Sequence, residues 1–290
     1  MSTKIATEKE AKKGGTVVPP SDFQSVTTKC SNTQQVSEKS SRPHERAQAR
    51  AHDETPKAQP SKSRKNRKKL NVLIACEESQ AECIAFRELG HNAYSCDIQK
   101  CKPSGQPDWH IVGDVTPYLE GRTTFKTQSG KKGKVSHWDL IIAHPPCTFL
   151  CRLSSCQLYK EPTTECIVNG QEIIANEDRI DGMRKGRAFF MKCLNAKANY
   201  VAVENPIPMR LANLPRPSCY ADPSWFGVKY TKKTCYWLKN LPPIMAGVQF
   251  PQPKSYVNAS RGKYRSRTFP QLAKAIASQW SQYILDEINH

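Results

Sequence analysis

Four polar clusters each close an apolar run. Cys76-Glu-Glu-Ser79 ends the run from Asn71, and Asp97 ends Asn92 to Cys96. Pro145-Pro-Cys147 ends Trp138 to Ala143, and Glu204-Asn205 ends Tyr200 to Val203. A cysteine fixed by two prolines is a positioned nucleophile when its surroundings favour the thiolate. A carboxylate at the end of a neighbouring run can move a proton in the same cleft. An acid after the second strand of a nucleotide-binding sheet commonly takes ribose hydroxyls. Together these groups suggest covalent chemistry on a substrate with a nucleotide-like cofactor.

Positioning them requires strands that end at one edge. The four apolar runs read as buried strands. Between the first two, Glu78 to Leu89 carries Ala81, Cys83, Ile84, Phe86 and Leu89 near helical spacing, and Gly90 is a helix stop. Val115 to Leu119 reads as a helix start, and Gly130-Lys-Lys-Gly133 as a hairpin or loop tip. Asp181 to Ala196 and Phe269 to Ile284 read as helices. Thr231 to Leu238 reads as a strand, possible in antiparallel pairing, and the Pro-rich stretch 207–230 as irregular. Alternating strands and helices predict an α/β fold with a mostly parallel sheet and helices on both faces. Ligands then bind beyond the carboxyl ends of the strands, where the four clusters fall.

The 290 residues carry 44 Lys and Arg against 26 Asp and Glu, a net charge of +18. Such a balance favours a polyanionic partner. No apolar stretch is long enough to span a bilayer and no apolar leader is visible, so a membrane protein and a secreted disulfide scaffold are excluded as expectations. The 12 cysteines read as reduced thiols of an intracellular chain. Residues 1–69 are rich in Ser, Thr, Gln, Pro and Ala, hold a single aromatic, Phe23, and end in a basic run from Lys62 to Lys69. That composition predicts a disordered basic tail, either a nucleic-acid arm or import signal or a plain solvated linker. Residues 70–290 then form the catalytic domain.

Two of the clusters, in their order and each closing a strand, resemble the catalytic motifs of cytosine-5 DNA methyltransferases: Pro145-Pro-Cys147 and Glu204-Asn205. Gly113-Asp-Val115 is similar to the Gly-Asp-Ile motif of that family, and Arg267-Thr-Phe-Pro270 to its last motif. The stretches Ile74 to Gln80, Trp138 to Cys147 and Thr231 to Cys235 resemble a compact phage and prophage subgroup. The resemblance covers about residues 70–285. It implies a Rossmann-like, S-adenosylmethionine-dependent methyltransferase fold, DNA as partner and a monomer. It implies the cytoplasm if the chain is bacterial or from a phage, and the nucleus if it is eukaryotic.

The resemblance also implies roles. Cys147 attacks carbon 6 of a flipped-out cytosine, Glu204 protonates ring nitrogen 3, carbon 5 takes the methyl group, and Asn205 braces the loop. Ala75, Cys76, Glu77, Asp97, Ile98, Asp114, Pro145 and Thr268 are the cofactor-binding candidates. Lys232, Lys233, Arg265 and Arg267 are the substrate-binding candidates. The chain departs from the family in its first motif, where Ala75 to Ser79 has no glycine, and in Pro206 after Glu-Asn. The recognition region, about residues 207–264, is short, so sequence readout is expected to be short or loose.

Blander readings stand beside these. Buried cysteines are usually inert, and Asp97 and Asp114 can simply end strands in turns. Cys151, Cys156 and Cys166 with His144 do not have the spacing of a zinc site, and no metal is expected. Two alternative functions remain open: the same chemistry on a pyrimidine of RNA or of a nucleotide, and a non-catalytic nucleic-acid binder that retains the fold.

Overall fold

The computed structural model describes residues 68–160, 167–168, 171–172, 174–247, 249, 251–256 and 267–289. The expected tail through residue 67, Cys166 and Arg265 lie outside the described residues. All described residues belong to the unit spanning residues 62–290.

A seven-stranded sheet organises this unit. In chain order its strands and flanking elements are β1 (Asn71–Ala75), α1 (Ala81–Glu88), β2 (Asn92–Asp97), β3 (His110–Val112) and α2 (Thr116–Leu119). There follow a hairpin of β4 (Thr124–Lys126) and β5 (Lys132–Lys134), then β6 (Leu140–Ala143) and α3 (Glu177–Leu194). The chain closes with β7 (Tyr200–Pro206), β8 (Cys219–Ala221), β9 (Thr234–Lys239) and α4 (Pro270–Asn289). Across the sheet the order is β8-β9-β7-β6-β1-β2-β3. The run from β7 to β3 is parallel throughout. Only β9 is reversed, lying antiparallel between β7 and β8.

The period-two rule for strands sorts the core into two layers. Leu73, Ala75, Ile141, Ala143, Val201 and Val203 point to one face and pack with Met183, Phe190 and Cys193 of α3. Their neighbours Val72, Ile74, Leu140, Ile142 and Ala202 point to the other face, against Cys83 and Phe86 of α1 and Leu272, Ile276 and Trp280 of α4. Strands buried on both faces explain the nearly continuous apolar runs in the sequence. The fold is Rossmann-like α/β, with helices on both faces of a mostly parallel sheet, as the alternation of strands and helices predicts.

Several boundaries differ from expectation. Helix α1 begins at Ala81 rather than Glu78, because Gln80 adopts the left-handed conformation (φ 60°). Glu77 closes the start of α1 instead: its carboxylate accepts from the backbone N–H groups of Glu82 (2.8 Å) and Cys83 (3.4 Å). Helix α3 begins four residues earlier than read, at Glu177, with Asp178 adding negative charge to its first turn. The reversed strand begins at Thr234 rather than Thr231. The stretch read as irregular contains β8 and two short 3-10 turns, Arg210–Ala212 and Pro223–Phe226. Most important for the site, β7 does not stop at Val203. Its parallel pairing with β6 ends there, at Val203 opposite Ala143. Pairing with β9 then carries it three residues further, placing Glu204 opposite Tyr236 and Pro206 opposite Thr234.

Candidate active site

The sheet's carboxyl edge gathers the site. β6 ends at Ala143, and His144 continues along β1, its N–H donating to Ala75 O at 2.9 Å. Pro145 is buried and Pro146 exposed. Proline fixes φ at two consecutive positions, so the chain leaves the sheet stiffly and delivers Cys147 to the start of a single helical turn. The Leu150 and Cys151 N–H groups both donate to Cys147 O at 3.0 Å. The turn is anchored to the chain leaving β7. Arg152 N donates to Ile207 O at 2.8 Å, Met209 N to Leu150 O at 2.8 Å, and Cys151 bridges to Pro208.

Cys147 is partly buried and hydrogen-bonds Cys151 one turn on. The Cys147 thiol is pushed up by its interaction with Cys151, by burial and by the negative charge of Glu204, and Cys151 is held below the usual thiol range by its interaction with Cys147.

Glu204 lies on the strand adjacent to β6, close enough for its charge to act on the Cys147 thiol. Its side chain is 14% exposed. Thr234 Oγ1 donates to Oε1, and His144 Nδ1 lies 3.3 Å from Oε2. Burial would raise its pKa, but His144, the nearby Lys232 and Thr234 outweigh that and hold the carboxyl below its ordinary value. The other ring nitrogen of His144, Nε2, lies 3.0 Å from Oε2 of Glu82, whose side chain is fully buried. Burial disfavours the charged imidazole, yet Glu82 and Glu204 together raise His144 well above its usual value. Beneath them Glu77 is pushed up to about 7 by burial and by the charge of Glu82.

A second cluster occupies the ends of β1, β2 and β3. Cys76 takes the left-handed conformation (φ 62°) that a glycine usually fills, and its N–H donates to Cys96 O at 2.7 Å. The turn thus reaches its geometry without the glycines of the family motif. Asp97 accepts from Gln99 N at 2.8 Å, and Asp114 accepts from Thr116 N at 2.9 Å. Both carboxylates act electrostatically on Cys76. Beside Asp97, Ile98 is 78% exposed. Gly113 sits at φ 150° with open space where a side chain would project.

The remaining candidates divide. The side chains of Ala75 and Glu77 face inward, the first in the core and the second on α1. Asn205 is fully buried and donates to Pro206 O at 2.7 Å, fitting a brace rather than a contact. Lys232 and Thr268 line a small cleft with Glu204, Thr234 and Phe269. Lys232 is tied to Arg267 O at 3.2 Å, and Arg267 pairs with Glu78 at 3.5 Å, which links the last motif to the first. Lys233 instead stacks its ammonium over Tyr220, 4.4 Å from the ring centre. Sequence reasoning passed over Glu82, His144, Cys151 and Thr234 as working groups. A glutamate amid the buried face of α1, and a histidine directly before Pro-Pro-Cys, were the available signals.

No family model matches the chain, and no curated protein matches it either. Among solved structures, it is similar to an Escherichia coli prophage protein provisionally assigned as a DNA modification methyltransferase, at 12% identity and a TM-score of 0.32. That alignment covers 58% of this chain and 46% of the other. A likeness of that degree says nothing about function. The class of the protein, a Rossmann-like α/β domain, follows from its own sheet. No helix among the described residues is long and apolar enough to cross a membrane.

Proposed function

We propose that the chain transfers a methyl group from S-adenosylmethionine to carbon 5 of cytosine in DNA. The observation that carries this reading is that Cys147 and Glu204 follow adjacent strands to the same edge of the sheet, close enough for the Glu204 charge to act on the Cys147 thiol.

The cofactor fits the second cluster. Asp97 would accept from the ribose hydroxyls, Asp114 from the adenine amino group, and exposed Ile98 would offer an apolar surface to the ring. The open approach at Gly113 leaves room for them. Bound there, S-adenosylmethionine supplies an electrophilic methyl group.

The chain's own groups do the rest. The Cys147 thiolate forms a bond to carbon 6 of the cytosine, while a proton passes from Glu204 to ring nitrogen 3. The carbon 5–carbon 6 double bond becomes an enamine that is nucleophilic at carbon 5. After carbon 5 is methylated its proton leaves to solvent, the electrons of that bond restore the carbon 5–carbon 6 double bond and expel the Cys147 thiolate, and nitrogen 3 returns its proton to Glu204. The thiolate needed at the first step arises when Cys147 passes its proton to Cys151. A base inside a duplex cannot reach this cleft, so the cytosine is flipped out at a cost of a few kcal/mol. Exposed Arg152 and Arg210, beside the Cys147 turn and the exit of β7, supply positive charge for the phosphates.

Nucleoside mass spectrometry tests this reading. The chain and its Cys147→Ala variant are expressed in cells lacking cytosine methylation, and the DNA is digested. The expected result is 5-methylcytosine with the native chain only. Methylation by both chains removes Cys147 from the mechanism. Modified RNA or nucleotide pools without modified DNA transfers the same chemistry to another pyrimidine.

A further inference from the structure

We infer that His144 is the proton reservoir behind Glu204, and that Glu82 is the positioning residue that keeps it charged. The inference rests on the proposed function and deepens it, since it supplies the proton that Glu204 delivers to ring nitrogen 3.

The geometry is a line of three side chains from three elements. Glu82 of α1 sits behind the sheet edge, His144 follows β6, and Glu204 lies on β7. The imidazole spans them, with Nε2 3.0 Å from Glu82 and Nδ1 3.3 Å from Glu204. Its side chain is 11% exposed, and that of Glu82 is 0% exposed. A buried neutral imidazole has one N–H to give and cannot satisfy two carboxylates, whereas an imidazolium donates to both. Two carboxylates facing a neutral ring would also leave buried negative charge unpaired, which is strongly destabilising. Both considerations require the ring to be charged in the resting enzyme.

The other charged and titratable groups around the ring agree. Glu77, below Glu82, is favoured by the His144 charge, and Lys232 approaches Glu204 from β9's side. Tyr236 and Cys235 of β9 and the Cys147–Cys151 pair complete the surroundings, and Glu204 disfavours the anionic form of Tyr236, Cys235 and Cys147 alike. Lys232 is a second cation whose charge acts on Glu204, and its ammonium donates to Arg267 O at 3.2 Å.

The step balances. As the base enters, the Nδ1 proton of His144 passes to Glu204, and the Glu204 carboxyl gives a proton to ring nitrogen 3. His144 is left neutral, with Nε2–H donating to Glu82. When nitrogen 3 releases its proton at the end of the cycle, the same path returns it. Thr234 holds the far oxygen of Glu204 throughout, so the carboxylate does not turn away from either partner.

The test is the pH profile of methyl transfer for the full chain and for Glu82→Gln, together with an imidazole NMR titration of the native chain. His144 is identified among the seven histidines by the signal missing in His144→Gln. Glu82→Gln removes one of the two charges on the ring. The alkaline limb is expected to move about one pH unit lower, a roughly tenfold lower rate on that limb. The acid limb, set by the thiol pair, and the KM for S-adenosylmethionine stay in place. In the native chain His144 is expected to remain protonated at pH 7.5. An unmoved alkaline limb, or a neutral His144 at pH 7, overturns the relay. If Glu82→Gln does not fold, the NMR titration decides alone. A chain that methylates no pyrimidine although His144 titrates high overturns the proposed function instead, and the two failures are thereby distinct.

Discussion

Replacing Thr234 by Val removes the hydroxyl that donates to Glu204 Oε1 while keeping a branched side chain of similar size at a buried position. A hydrogen bond to a charged group contributes about 1.5–3 kcal/mol. With Glu204 only 14% exposed, little of that is recovered from water. At 1.36 kcal/mol per pH unit, the same loss raises the folded-state ionisation of Glu204 by about one to two pH units. The sign follows from its direction. Glu204 is held below the ordinary carboxylate value, so its stabilisation is fully present above the unfolded carboxylate range and lost as pH falls through the folded value. In a domain of this size 1 kcal/mol is about 2–4 °C in melting temperature. Thr234→Val is therefore expected to melt roughly 3–10 °C lower at pH 7, a gap that narrows on titration to pH 4. Thr234→Ser should recover most of it. Calorimetric melts at both pH values provide the measurement. A gap equally wide at pH 4 would mean that packing, not the carboxylate bond, is what the substitution removes.

Three further outcomes follow from the structure. The Cα atoms of Cys147 and Cys151 are one helical turn apart, within the span a disulfide accepts, so mild oxidation should link them and stop methyl transfer reversibly. Peptide mapping that finds both thiols free after activity is lost would refute this, and Cys151→Ser should be protected. Trp280 is fully buried against Tyr236, and Trp280→Ala is expected to cost about 3–5 kcal/mol in urea unfolding; a loss under 1 kcal/mol would contradict the packing. Gln80 is fully buried, donating to Ser95 (3.1 Å) and Gln106 O (3.1 Å) and accepting from Gln106 N (2.7 Å). Gln80→Ala leaves those groups unmet while keeping the left-handed backbone, and should cost about 2–4 kcal/mol by the same measurement; a native-like denaturation curve would show the bonds to be dispensable.

The main strands were legible because burial on both faces makes them apolar throughout, and no other segment of comparable length reads that way. Cys147 and Glu204 stood out for the same reason: each lies just beyond such a run. What was not legible came from distance. Thr234 meets Glu204 only through antiparallel pairing of β9 with β7, and nothing near residue 204 announces that partner. Glu82 gave no signal in the sequence, because its partner His144 lies 62 residues away. The start of α1 was misread because Gln80 takes a left-handed backbone for the sake of its three buried bonds, a tertiary effect that overrides local preference. The turn after β1 looked deficient without glycine, yet Cys76 adopts the left-handed backbone conformation that glycine favours.

The three-residue overhang of β7 beyond β6 also sets an order of events in time. Glu204 and Asn205 have no parallel neighbour at their own level and are held there by β9, which is made later in the chain. During synthesis Cys147 emerges well before either. Until the segment through Lys239 has been translated and has folded back as a reversed strand, Glu204 has no neighbour to hold it beside the Cys147 turn. Contacts of such long sequence separation form late in folding. On the proposed function, methyl transfer would therefore wait for the sheet to close.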